Sequence, residues 1–200
     1  MIINREYYQA TIEHRNKHKC GGYPFENGGF LSKVVSFIGA NEILEIGTSI
    51  GYSAFCFASN NLNTKITTID REQEHYDLAT RHWKEYGVDD QIDCIVGESQ
   101  IVVRGLVEEK NKYDIVFFDG FSPNPDEAKY YIELLKDDGI LITTNLNLPS
   151  EIMTADTYLE QLRKTGVRTI RKGDISFSSF DQNILESCSK LWDETLKVKK

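Results

Sequence analysis

Three acidic residues and a pair of glycines in this chain are spaced as they would be around a small-molecule site. Glu45 stands two places before Gly47, and the chain then runs Thr48-Ser49-Ile50-Gly51-Tyr52-Ser53. Gly47 frees the backbone to turn sharply, and Gly51 lets the start of a helix lie close to a ligand or strand. A pyrophosphate would want Gly-x-Gly-x-x-Gly, but Ser49 takes the place of the middle glycine. A carboxylate at Glu45 would repel phosphate and suit a cationic amino group. Asp70, with Arg71 beside it, follows the turn by roughly twenty residues, where an acidic side chain can accept both ribose hydroxyls. Asp119 ends the apolar run Tyr113–Phe118, which places it at the carboxyl end of a strand, where open α/β sheets bind ligands.

Such groups need a sheet with helices between its strands. Ile43, Leu44 and Ile46 form a short apolar strand, and residues 53–59 read as the helix after it. Further strands are expected over 65–69, 92–96, 113–118 and 140–143. Helices are expected over 30–38, 72–86 and 126–136, with Gly87 stopping the second and Asp137-Asp138-Gly139 turning the chain after the third. Beyond Pro149 come a helix over 151–165, two strands over 167–171 and 174–180, and a last helix over 182–200. Ile184, Leu185, Cys188, Leu191 and Trp192 give that helix an apolar stripe, suited to the core or to a homodimer face.

The length of 200 residues suits one domain with a full core. No apolar run approaches the ~20 residues that span a bilayer, and the polar, charged start is unlike a signal peptide, so a cytoplasmic location is expected. Four cysteines lie far apart without paired metal spacing, which favours reduced thiols. His14, His18 and Cys20 are close enough for a metal trio, but among Arg15, Lys17 and Lys19 they read as a solvated helix end, so no metal ligand is expected. A net charge of −8 argues against non-specific coating of nucleic acid and favours a small-molecule partner.

The run Leu44-Glu45-Ile46-Gly47-Thr48, then Gly51-Tyr52-Ser53, resembles motif I of class I S-adenosylmethionine-dependent methyltransferases. Its form is similar to that of the small O-methyltransferases of the catechol and caffeoyl-CoA type. The resemblance implies a Rossmann-like α/β fold with a mostly parallel seven-stranded sheet, helices on both faces and an antiparallel final strand. It implies one domain over 1–200, with N-terminal helices and a lid loop in 1–40 and a C-terminal helix in 181–200. It implies S-adenosyl-L-methionine as cofactor. Glu45 or Asp119 would meet the methionyl ammonium, with Gly47, Thr48 and Ser53 in the same turn. Asp70 and Arg71 would lie at the ribose, Gly97, Glu98 and Ser99 at the adenine, and Tyr23 in the lid near the methionine end.

In metal-dependent members of that family, an Asp after the fourth strand and an Asp-Asn pair after the fifth hold a divalent cation. A lysine three residues past the first Asp stands near the attacking hydroxyl. Here Asp119 and Asn145 match, but Thr144 replaces the second Asp and Ser122 the lysine. The implied activity is O-methylation of a small-molecule or nucleoside hydroxyl with little or no metal dependence, with Asp119 as the catalytic candidate. The segment Asp119-Gly120-Phe121-Ser122-Pro123 also resembles methyltransferases that act on aminomethyl groups of tRNA wobble uridines. An amine acceptor needs no metal, and Phe121 could stack on a base. A cofactor-binding, non-catalytic relative acting through a partner is a further alternative, and Ser49 disfavours a nicotinamide-linked oxidoreductase.

Overall fold

Alternate residues of the central strands are apolar on both sides, and that alternation divides the core in two. The computed structural model describes residues 2–20, 23–59, 61–148 and 155–197. Ile43, Ile115, Phe117, Ile140 and Ile142 pack into one apolar cluster, while Leu44, Ile46, Val116, Phe118 and Leu141 pack into another. Strands buried on both faces require helices on both faces.

The strands are β1 (Glu42–Ile46), β2 (Lys65–Asp70), β3 (Ile92–Val96), β4 (Tyr113–Phe118), β5 (Leu135–Thr143), β6 (Arg168–Lys172) and β7 (Ile175–Ser179). They form a seven-stranded sheet in the order β3-β2-β1-β4-β5-β7-β6. The first five run parallel, and β7 is antiparallel to both β5 and β6. Helices α1 (Arg5–His18), α2 (Gly28–Ile38), α3 (Tyr52–Ala58), α4 (Gln73–Glu85) and α8 (Gln182–Lys197) cover the first face. Helices α5 (Ser99–Glu108), α6 (Ala128–Glu133) and α7 (Ala155–Lys164) cover the second. The strand order reverses between β1 and β4, so the turns leaving those two strands lie side by side and open a crevice.

Two expectations need correction. The helix expected over 126–136 is a single 3₁₀ turn, Pro125–Glu127, followed by the short α6. Asp137-Asp138-Gly139 does not turn the chain between elements but lies inside β5. Leu135 already pairs with Tyr113, and the register then slips so that Ile115 pairs with Ile140. Lys136 Nζ anchors this irregularity by donating to Asp114 Oδ1 at 2.8 Å. Gly139 lets it close, because a Cβ there would lie 3.0 Å from the carbonyl oxygens of Tyr113 and Asp114. Helix α5 has no counterpart among the expected elements. Residues 151–154 and 198–200 of the expected helices lie outside the described residues, as do Gly21 and Gly22 of the lid loop. Among the described residues, no helix is long and apolar enough to cross a membrane.

Asp114 also fastens the start of β1, since its Oδ2 accepts from the backbone N–H of Asn41 (2.9 Å) and Glu42 (2.8 Å). Burial alone would raise its pKa, but Lys136 and the two N–H groups outweigh it and hold the carboxyl below its ordinary range. Its contribution is therefore present at neutral pH and lost as pH falls through that lowered value. Asp114→Ala is expected to lose about 1–3 kcal/mol at pH 7 in urea unfolding, with the deficit shrinking in acid. An unchanged midpoint at pH 7 would contradict this role.

Candidate active site

A cleft of about 840 Å³ occupies the crevice at the carboxyl ends of the parallel strands. That volume is in the range of small-molecule sites. Its floor is the turn after β1. Gly47 has φ 104°, and a Cβ there would stand 2.7 Å from the Asp119 carbonyl oxygen and 2.9 Å from its carbon. Gly47 N donates to Ile69 O (3.0 Å) and Asp119 N to Ile46 O (2.9 Å), which stitches the turn to β2 on one side and β4 on the other. Gly51 has φ 89°, and its missing Cβ leaves room for the Trp83 ring, whose Nε1 donates to Gly51 O at 3.0 Å. Only backbone fits at either position.

Asp70 holds the same turn by its side chain. Its Oδ2 accepts from Ser49 N (2.8 Å), which secures Ser49 at φ 47°. Its Oδ1 accepts from Glu72 N (3.0 Å) and meets His75 Nδ1 (3.0 Å). A carboxylate has about four acceptor positions, and three are in use. One acceptor position is left for a ligand hydroxyl. Burial pushes the Asp70 pKa up, but His75 and the two backbone donors prevail and keep it below the ordinary value. The bond to Asp70 in turn raises the His75 pKa to about 9.

Asp119 closes the other end. Its Oδ1 accepts from Thr144 Oγ1 (2.5 Å) and Asn145 Nδ2 (3.3 Å), while Oδ2 accepts no bond among the described residues. Burial raises its pKa to about 7 against the opposing effect of those donors. Asn145 Nδ2 also donates to Gly120 O at 2.7 Å. Because a carbonyl can only accept, Asn145 must turn its NH₂ group, and not its oxygen, toward Asp119. A hard divalent cation asks for several oxygen ligands, usually with more than one carboxylate for charge. One carboxylate, a hydroxyl already donating and an amide NH₂ do not fit that ion.

Of the residues singled out from sequence, Tyr23, Gly47, Thr48, Ser53, Asp70 and Arg71 line the cleft, as do Gly97, Glu98, Ser99 and Asp119. Glu45 does not. It is fully buried, its Oε2 accepts from Thr68 Oγ1 at 2.5 Å, and Thr68 is bonded in turn to Thr48 at 2.7 Å. Burial raises its pKa to about 8. Tyr23 stands at the rim with the Arg15 guanidinium 3.4 Å from its ring centre, and Arg71 reaches Glu72 at 3.2 Å. Gly97 N donates to Asp70 O (2.8 Å), which brings the start of α5 beside Asp70. His75 and Trp83 were not legible as site residues, since neither has a spacing of its own. His14 is not solvated as expected but buried.

The cavity also tolerates a ligand of mixed polarity. Among the described residues, Ser49 Oγ is buried without a hydrogen-bond partner and borders the cleft. Such an orphan beside a pocket suits a ligand bringing polar groups. The residues therefore fit an amino-acid-bearing nucleoside better than a pyrophosphate.

A family model described as O-methyltransferase matches residues 3–177. The chain is 34% identical over 150 residues to tapetum-specific methyltransferase 1 of Arabidopsis thaliana, covering 70% of this chain and 62% of that protein. It is 33% identical over 121 residues to caffeoyl-CoA O-methyltransferase of Medicago sativa, covering 58% of this chain and 49% of that protein. The chain thus spans less than two thirds of the length of either relative. The O-methyltransferase from Bacillus cereus, solved with SAH, superposes with a TM-score of 0.73 at 17% identity, over 90% of this chain and 93% of that one. TomG from Streptomyces achromogenes, solved with SAM, gives 0.72 at 17% identity, over 90% and 91%. These superpositions establish the shared fold.

The buried carboxyl of Glu45 makes a pH prediction. Its pKa is about 8 in the fold against 4.5 for the ordinary group, so between those values the folded chain keeps a proton that the unfolded chain has lost. Stability from this group is therefore full below the ordinary value and falls as pH rises toward 8. The fall is up to about 5 kcal/mol in the ligand-free protein. Glu45→Gln is expected to flatten that slope in urea titrations from pH 5 to 9. A wild-type slope that survives in the variant would contradict the assignment.

Proposed function

This chain belongs to the O-methyltransferase family, and we propose that it moves a methyl group from S-adenosylmethionine to the hydroxyl of a small molecule or nucleoside, without a bound metal. The observation that carries the reading is that Asp70 and Asp119 line one cleft, at the ends of the two strands that flank β1 and Gly47. That spacing suits an elongated ligand with a ribose at one end and an amino acid at the other.

When bound, the cofactor supplies an electrophilic methyl group on a sulfonium. Asp70 accepts one ribose hydroxyl, and Arg71 edges the same part of the cleft. Gly97, Glu98 and Ser99, at the start of α5, border the adenine. Gly47 and Thr48 offer close backbone to the amino-acid end, with the Ser53 hydroxyl beside them. Glu45 lies behind this wall, outside the cleft and bonded to Thr68. Tyr23 closes the rim.

Methyl transfer to a hydroxyl also needs the proton taken away. Asp119 is placed for this, with Oδ1 held by Thr144 and Asn145 and Oδ2 left to the cleft. A pKa near 7 matches a general base working near neutrality. Phe121, 70% exposed at the cleft mouth, offers a flat apolar face to an aromatic or nucleobase acceptor. That same face supports the second reading, an amine on a wobble uridine, for which Asp119 would take the ammonium proton.

Calorimetric titration with S-adenosylhomocysteine should show Asp70→Ala weakened by about 10- to 150-fold, the worth of a lost charge-assisted hydrogen bond. An unchanged affinity would remove Asp70 from the site. Asp119→Asn should keep cofactor binding and lower kcat by about 10²–10⁴, while EDTA should leave wild-type turnover intact. The readout is release of S-adenosylhomocysteine with phenolic, nucleoside and wobble-uridine tRNA acceptors. Tight cofactor binding with no turnover on any of them would favour the non-catalytic alternative, and strict loss on chelation would overturn the metal-free reading.

A further inference from the structure

We propose that His14, Cys20 and His75 form a site for one thiophilic divalent cation of the zinc class, clamping the C-terminal end of α1 to α4 beside the cleft. One donor atom from each residue lies within 4.8 Å of the others. His14 is on α1 and Cys20 just beyond its end, while His75 comes from the distant α4. Nitrogen and sulfur donors select zinc and its neighbours over magnesium or calcium.

A second observation points to a ligand. His14 is nine-tenths buried, and its Nε2 has no hydrogen-bond partner among the described residues. An unsatisfied buried nitrogen costs free energy, and an ion would satisfy it. His75 is equally buried, and its ring meets that of His14 edge-on at 5.2 Å. Asp70 holds the His75 Nδ1 at 3.0 Å and so leaves Nε2 for the site. A carboxylate behind a ligating histidine is the usual outer support of such an ion. Bond lengths of about 2.0–2.3 Å around a tetrahedral ion set the ligand atoms roughly 3.3–3.8 Å apart, so closure needs movements on the order of 1 Å.

His18, the residue grouped with His14 and Cys20 by spacing, is otherwise engaged. It stacks on His14 at 4.3 Å between ring centres, and its Nε2 lies 3.3 Å from Glu74. The fourth coordination position then belongs to water on the cleft side, since Cys20 and His75 both line the cavity.

The test uses the full chain, reduced and stripped of metal. Zn²⁺ is titrated against a chromophoric chelator, and Co²⁺ is followed by its thiolate-to-metal absorption. One ion per chain is expected, with a thiolate band. Cys20→Ser should abolish the band and weaken Zn²⁺ by about 100-fold or more, and His14→Gln should weaken it by at least ~10-fold. Circular dichroism confirms that both variants fold, and Cys94→Ser should leave ion and band in place. A wild type that binds no ion would overturn the site. So would a band and affinity that survive Cys20→Ser, or that disappear with Cys94→Ser instead.

Discussion

The backbone of Gly47 passes against the backbone of Asp119 with no room for a Cβ between them, and the cleft exists because of that contact. Two turns leave neighbouring strands of a parallel sheet at the point where strand order reverses. Any side chain at Gly47 would push them apart. With glycine, the first turn can take a positive φ and lie down on the second, so that the helix after it starts beside the crevice. Trp83 completes the arrangement from α4 by filling the space that Gly51 leaves and bonding its carbonyl. The rim of the site thus depends on the core of the first sheet face.

Three carboxyls near this turn sit in different protonation states, and burial against donors decides each. Asp70 is buried but collects two backbone N–H groups and a histidine, so it stays ionised. Asp119 has a hydroxyl and an amide for one oxygen only, which leaves it near neutrality. Glu45 is fully buried with the negative charges of Asp119 and Asp70 nearby, and its pKa rises to about 8. The separation follows from how the donors around each carboxyl balance its burial.

The parts of this arrangement that could be read from sequence are those written in local spacing. Gly47 and Gly51, the strand runs ending at Asp70 and Asp119, and the closing strand pair each follow from a few adjacent residues. Departures arose where tertiary partners decide. Asp137 and Asp138 have the composition of a turn, yet Lys136 finds Asp114 across the sheet and the segment stays within β5. His75 has no motif, because its partner is Asp70 at the end of the preceding strand and its neighbour His14 is on another helix. Glu45 shares a strand with cleft residues, but strand alternation turns it away from the cavity into the protein. Helix α5 packs Val102, Val103, Leu106 and Val107 on the second cluster, but Gly105 interrupts that run and its sequence has no stop signal of its own.

The claim beneath the rest is that the bare backbone at Gly47 forms the seat of an amino-acid-bearing adenosine. Titration of S-adenosylhomocysteine into Gly47→Ala tests it, with circular dichroism and urea unfolding recorded on the same sample. A folded variant with affinity lowered by about 30-fold or more is the result this account requires, since the added carbon would part the two turns. A folded variant that binds as tightly as the wild type would contradict it.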